Sequence, residues 1–181
     1  ATPTIHFSSS HTACTLCEKP FKVNKTRTRT IATLAMGRIR AHETILRCNC
    51  RTDNTPYYSE ELTRLVPHHG RFAYDVLVYV GLAMFIACKS DEQIMLELRS
   101  RGIPISLSEI AYLGKKFIIY LSIAHKQSTP QIRAQMRRQG GYILHMDGTV
   151  EADSPHLMSV LDGISQVVLD NIKLPSENTE Q

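Results

Sequence analysis

The sequence predicts an α+β chain in three successive parts: a cysteine-bracketed β-hairpin, a run of helices, and a meander of short strands. Three observations carry this. Two cysteine pairs stand at either end of a glycine-centred alternating segment. Two Ser-x-x-Gln/Glu boxes open helices on either side of a glycine turn. A Gly140-Gly141 break then releases apolar alternation at Tyr142, Leu144 and Met146, which reads as a short, mostly buried strand.

In the first part, residues 1–55, Thr30–Met36 and Arg38–Arg47 flank Gly37 as the arms of a hairpin. Cys14-Thr15-Leu16-Cys17 lies before it and Cys48-Asn49-Cys50 after it. Four thiolates at the base of a hairpin are what a structural zinc ribbon needs, because the metal supplies folding energy that so small an element lacks. A redox Cys-x-x-Cys is the rival reading, but the βαβ context that it wants is missing. His11 and His42 are substitute ligand candidates or plain surface histidines, and Cys88 is expected in the core. Five cysteines without a secretory signal argue for a reducing compartment rather than a disulfide framework. Lys19, Lys22, Lys25, Arg27 and Arg29 form a polar stretch, either a solvated loop or a strip suited to phosphates.

The second part, residues 56–139, is helical. Ser59 opens a short helix that stops before Pro67, and Arg71–Cys88 reads as a long apolar helix. Its uncharged run from Val76 to Cys88 is too short for a membrane span, so no membrane is expected among the partners. Ser90–Gln93 is a capping box whose helix ends at Gly102, and Ser106-Leu107-Ser108-Glu109 opens another that runs to about Lys126. Helix, glycine, brief turn and capped helix describe a helix-turn-helix, although an ordinary αα-hairpin has the same caps. Its second helix would present Ser108, Tyr112, Lys115 and Lys116 to double-stranded DNA. Gln131–Gln139, with Arg133, Arg137 and Arg138, is a basic helix or connector that could follow phosphates.

The third part, residues 140–181, places Asp147 where the first strand meets its turn, within reach of a divalent metal. Asp147-Gly148 is equally a turn dipeptide. Strands are expected over His156–Asp162 and Gln166–Leu174, joined by an Asp162-Gly163 turn, with Asp153 as a further turn aspartate. Charge follows the same division. Residues 1–50 carry +6, residues 51–141 carry +4 and residues 142–181 carry −6. A basic front joined to an acidic back suggests a polyanion-binding part and a cation-holding part.

Taken in order, these parts resemble the front half of a prokaryotic insertion-sequence transposase. The residues that carry the resemblance are Ser90-Asp-Glu-Gln-Ile, Gly102-Ile-Pro-Ile-Ser, Gly140-Gly-Tyr-Ile-Leu-His-Met-Asp-Gly-Thr, Asp153-Ser-Pro-His-Leu and Leu161-Asp-Gly-Ile-Ser. The resemblance implies a ribonuclease-H-like core, with residues 140–181 as its first three strands. It makes Asp147 the first carboxylate of an Asp-Asp-Glu triad, binding magnesium or manganese for phosphoryl transfer. It also implies element ends as the DNA target, a prokaryotic, nucleoid-associated cytoplasmic setting, and a homo-oligomer as a possible assembly. The other triad carboxylates have no match, so the chain is expected to bind DNA without cutting it. The alternative is a non-catalytic zinc-ribbon/helix-turn-helix regulator. Strand-Asp-Gly-Thr also resembles the phosphate-binding hairpin of actin-type phosphotransferases, but that motif expects a residue between the Asp and the Gly.

Overall fold

A computed structural model describes residues 2–50, 55–149 and 156–174. The chain forms two compact units, Ala1–Ser122 and Ile123–Gln181. Among the described residues, no helix is long and apolar enough to cross a membrane.

The first unit begins with a mixed three-stranded sheet of β1 (Thr4–Ser8), β2 (Lys22–Thr33) and β3 (Gly37–Arg47), in the order β1-β3-β2. The hairpin is the one expected from the sequence, but it is longer. Lys22–Arg29, for which the sequence offers a solvated loop or a phosphate-contacting strip, is strand, and β2 pairs with β3 from Lys22↔Arg47 to Thr33↔Gly37. Alternating threonines and arginines allow this, since β-branched residues suit a pleated surface. A bulge between Val23 and Lys25 leaves Asn24 without a cross-strand partner. Gly37 closes the turn at φ +66, a conformation that favours glycine. The parallel strand β1, not anticipated, pairs Thr4 with Arg40 and Ser8 with Thr44.

Inward residues Ile31, Ile39 and Ala41 bury against Phe7, and against Leu62 and Val66 of α1 (Glu60–Leu65) and its end. The hairpin tip belongs to a second core. Ala32 bridges Phe72, the backbone N–H of Ala73 donates to Ala32 O at 2.9 Å, and the Leu34 N–H donates to Asp75 Oδ2 at 2.9 Å. That core joins Ala32 to Val76, Leu77 and Val80 of α2 (Tyr74–Phe85), Ile94 and Leu98 of α3 (Asp91–Ser100), and Ile110 and Leu113 of α4 (Leu107–Gln127).

Both expected capping boxes form. Ser90 Oγ accepts from Gln93 N while Gln93 Oε1 accepts from Ser90 N, and Ser106 and Glu109 exchange the same pair of bonds. Gly102 takes φ +74 to end α3, and the Arg99 guanidinium donates twice to Ile105 O, clamping the turn. Helix α2 is shorter than the Arg71–Cys88 expected from its apolar content. Ala73 is extended because its backbone pairs with Ala32, and Cys88, at φ +50, lies beyond the helix end. Cys88 is exposed rather than in the core.

Helices α2 and α4 cross closely at two glycines. A Cβ on Gly81 would lie 2.1 Å from the Phe117 ring, and one on Gly114 would lie 2.7 Å from Met84 Sδ.

In the second unit, the end of α4 leads into α5 (Thr129–Arg138), and Gly140 and Gly141 take φ +86 and +137 before the strands begin. The strands β4 (Leu144–Thr149), β5 (His156–Asp162) and β6 (Val168–Leu174) form the expected antiparallel meander, in the order β4-β5-β6. The expectation that the first of these strands is mostly buried is overturned, since every residue of β4 is exposed. Among the described residues it is an edge strand with one hydrogen-bonded neighbour, and Tyr142, Leu144 and Met146 are exposed.

The α2–α4 crossing yields a direct expectation. Gly81→Ala should destabilise the first unit by about 1–3 kcal/mol, because the added methyl must displace the Phe117 ring. An unchanged denaturant midpoint for helix loss would show that the crossing yields without cost.

Candidate metal centre and DNA-facing helix

The register of the long hairpin sets the cysteines. With Lys22 opposite Arg47, the chain entering β2 and the chain leaving β3 lie side by side at the open end. Residues 12–21 fold back through an Ala13↔Pro20 bridge, with Cys14 N donating to Lys19 O at 2.9 Å and Glu18 N donating to Cys14 O at 2.9 Å. Glu18 adopts φ +58 in this knuckle. On the other side, the Leu46↔Tyr57 bridge and the Phe21–Tyr57 ring contact, at 4.3 Å between centroids, hold the chain that leaves Cys50.

The four sulfurs of Cys14, Cys17, Cys48 and Cys50 all lie within 4.8 Å of one another. Individual Sγ–Sγ separations are 3.5 Å for Cys14–Cys50, 3.4 Å for Cys17–Cys48 and 3.0 Å for Cys48–Cys50. These are far longer than a disulfide bond, and all five cysteines are free. They are close to the roughly 3.8 Å edge of a tetrahedron with metal–sulfur bonds of about 2.3 Å. The cluster can therefore coordinate a metal ion.

Backbone amides already favour a thiolate in this cluster. The N–H groups of Leu16 and Cys17 point at the Cys14 sulfur, Leu16 N at 3.4 Å, and hold its thiol down to about 6. Cys50 is pushed the other way, because its sulfur shares hydrogen bonds with Cys48 and Cys17 and its thiol proton is retained. A bound cation would displace the remaining protons, as metal binding to thiols requires. Neither candidate substitute ligand joins the cluster. His42 Nδ1 lies 3.0 Å from Thr28 Oγ1, and His11 Nε2 lies 3.9 Å from Glu60.

Two cations of the basic stretch are taken by structure. Arg27 Nε donates to Glu43 Oε2 at 2.7 Å, and Arg29 Nη1 donates to Gly70 O at 2.9 Å. Glu43 is almost wholly buried, and its other oxygen accepts from Ser59 N, next to the Ser59 cap of α1. The sequence left this network unread, because nothing in Glu43's neighbours along the chain marks it as paired. Its inward phase on β3, between Ala41 and Ile45, was the available signal.

Helix α4 carries Ser108, Tyr112 and Lys115 on its solvent face at helical spacing. Ser108 Oγ is 3.1 Å from Ser106 Oγ at the cap. Lys115 edges a shallow groove lined by Met84, Phe85, Asp91, Ala111, Ile118 and Ile119. Lys116 turns to the other flank, with Nζ 4.9 Å from the Tyr112 ring centre. Its hydrogen bond with Tyr112 raises its pKa. Arg133, Arg137 and Arg138 are exposed on α5, and Arg138 Nε lies 3.4 Å from Ala134 O.

Asp147 does not sit at a strand–turn junction. It lies within β4 opposite Ser159, which in turn pairs with Asn171, and Gly148 and Thr149 continue the ladder. Among the described residues, Asp147 joins no group of three or more potential metal ligands. Asp153 lies outside the described residues. Asp162 behaves as the turn residue expected. It is fully buried and accepts from the backbone N–H groups of Ile143, Ile164 and Ser165, from Ser165 Oγ and from Gln139 Nε2. These donors, Ser165 first, hold its carboxyl well below the usual carboxylate range.

The chain matches no known family, curated protein or solved structure.

Two outcomes are expected. Cys14→Ser or Cys48→Ser, at the two buried positions of the cluster, should abolish stoichiometric metal binding, as read by elemental analysis of the purified protein. Arg27→Ala should cost about 3 kcal/mol in denaturant unfolding, because it leaves the buried Glu43 charge without its partner. A loss below about 1 kcal/mol would place Arg27 among screened surface pairs instead.

Proposed function

We propose that this chain is a zinc-stabilised module that binds double-stranded DNA in a regulatory, non-catalytic role. The observation that carries it is the four-cysteine cluster at the end of a hairpin whose tip shares a core with helices α2, α3 and α4. A donor set made only of sulfur suits zinc, and four ligands close the tetrahedron and leave no position for a substrate. The metal's role is then structural. Helix α4 is the recognition helix, with Ser108 and Tyr112 nearest the base edges and Lys115 and Lys116 on phosphates. Arg133, Arg137 and Arg138 supply a second basic strip, on α5. In a prokaryotic cytoplasm the partner would be nucleoid DNA, and a homo-oligomer would suit a two-fold site.

A second reading has one observation in its favour. The antiparallel meander follows a basic helix and carries Asp147 on its first strand, as in the insertion-sequence transposase arrangement. In that reading residues 140–181 open a ribonuclease-H-like core, and magnesium or manganese would bind Asp147 together with further carboxylates. The regulatory reading is preferred because it uses side chains that are brought together, whereas Asp147 is exposed and, among the described residues, joins no group of three or more potential metal ligands.

Zinc should be recovered at about one ion per chain, as a four-thiolate site implies; iron in that place would replace zinc in the proposal. Lys115→Ala with Lys116→Ala should weaken binding to all duplexes and lower the salt slope by about 2, near 0.9 for each lost phosphate contact. An unchanged slope would remove α4 from the DNA. Magnesium-dependent nicking that Asp147→Asn abolishes would transfer the conclusion to the transposase reading.

A further inference from the structure

The strands β1, β2 and β3 contain seven Lys and Arg residues but one carboxylate, Glu43, and that carboxylate faces inward and is engaged by Arg27. The outward positions follow from the register. They are Thr4, His6 and Ser8 on β1, Arg38, Arg40, His42, Thr44 and Leu46 on β3, and Val23, Thr26, Thr28, Thr30 and Ala32 on β2. Between the apolar pair Val23 and Leu46 at the open end and Ala32 at the tip, which enters the helical core, every one of them is a hydroxyl, an imidazole or a guanidinium. Arg40 faces Thr4 on one side and Thr30 on the other, and Arg38 faces Ala32. Both arginines are exposed, and among the described residues neither has a carboxylate partner.

Lys22 and Lys25 have a sufficient explanation elsewhere, since lysines on an edge strand such as β2 block pairing with other chains. That explanation does not reach Arg38 and Arg40, because β3 is the central strand. Two guanidinium groups on one face, about 7 Å apart along the strand, repel each other with no acid opposite to relieve them. An external row of anions would relieve both. No Phe, Tyr or Trp occupies the strand positions on this face around Arg38 and Arg40, so that stretch lacks the usual stacking platform for unpaired bases and suits the phosphate backbone of a duplex.

We infer that the outward face of the β1-β3-β2 sheet is a second double-stranded-DNA contact, with Arg38 and Arg40 on phosphates and the flanking threonine hydroxyls donating beside them. This rests on the DNA-binding reading above, and it adds a surface that the recognition helix does not include. The sheet supplies sequence-independent anchoring, while base readout stays with α4.

The test is duplex binding by the metal-loaded full chain, followed by fluorescence anisotropy between 50 and 200 mM salt. Arg38→Gln with Arg40→Gln should lower the salt slope by about 2, so its affinity deficit shrinks roughly twelve-fold across that salt range. Arg38→Lys with Arg40→Lys should keep the wild-type slope, since it keeps the charges. As a reading independent of variant folding, the wild-type backbone amide resonances of residues 38–42 should shift when a short duplex is added. Wild-type protein that fails to bind any duplex would overturn both this inference and the function it rests on. Wild-type binding with an unchanged slope in the glutamine variant, or with unmoved resonances at 38–42, would overturn the sheet contact alone and leave α4 in place.

Discussion

Antiparallel pairing of β2 with β3 is the constraint on which the first unit is built. Because the pairing runs from Lys22↔Arg47 to Thr33↔Gly37, the two cysteine pairs are delivered to one end and Ala32 to the other. Alternation along the same strands places Ile31, Ile39, Ala41 and Ile45 inward and leaves a polar middle stretch, from Thr26 to Thr30 and from Arg38 to Thr44, on the outer face. One set of hydrogen bonds thus determines the sulfur cluster, the seat of α2 and the charge of an exposed face. The burial of Glu43 follows from it too, since the phase that hides Ala41 and Ile45 hides Glu43 with them.

The two ends of the hairpin are stabilised by different physics. At the tip, apolar burial dominates, with Ala32 entering the core of α2, α3 and α4. At the open end there is little to bury. Leu16 is exposed, and the knuckle is held by backbone hydrogen bonds, an aromatic contact and the sulfur cluster. A metal ion held by these cysteines would concentrate stability where hydrophobic packing is thinnest.

Much of this was legible in the residues. Gly37 with its flanking alternation marked the hairpin, Ser90 and Ser106 marked the caps, and Cys14, Cys17, Cys48 and Cys50 marked the cluster. The failures share a cause. β1, the edge position of β4, the exposure of Cys88 and the pairing of Arg27 with Glu43 all depend on contacts between distant segments. Apolar alternation along Tyr142, Leu144 and Met146 signals a strand, but it cannot say whether a second layer exists to cover it. Likewise Asp147-Gly148 has turn chemistry, yet pairing with Ser159 and Met158 overrides it.

The bulge at Asn24 makes the hairpin a measured length. Side chains change face at every residue, so one inserted or deleted residue reverses the facing of all those beyond it. Between the bulge and Thr33, such a change would turn Arg27 and Arg29 outward and drive threonines into the core. At the bulge, the extra residue sets the cysteine end out of phase with the helical end, and the two requirements are reconciled there. Substitutions on the outer face are therefore tolerable for folding in a way that changes of length are not. Related chains should hold constant the number of residues between Cys17 and Cys48.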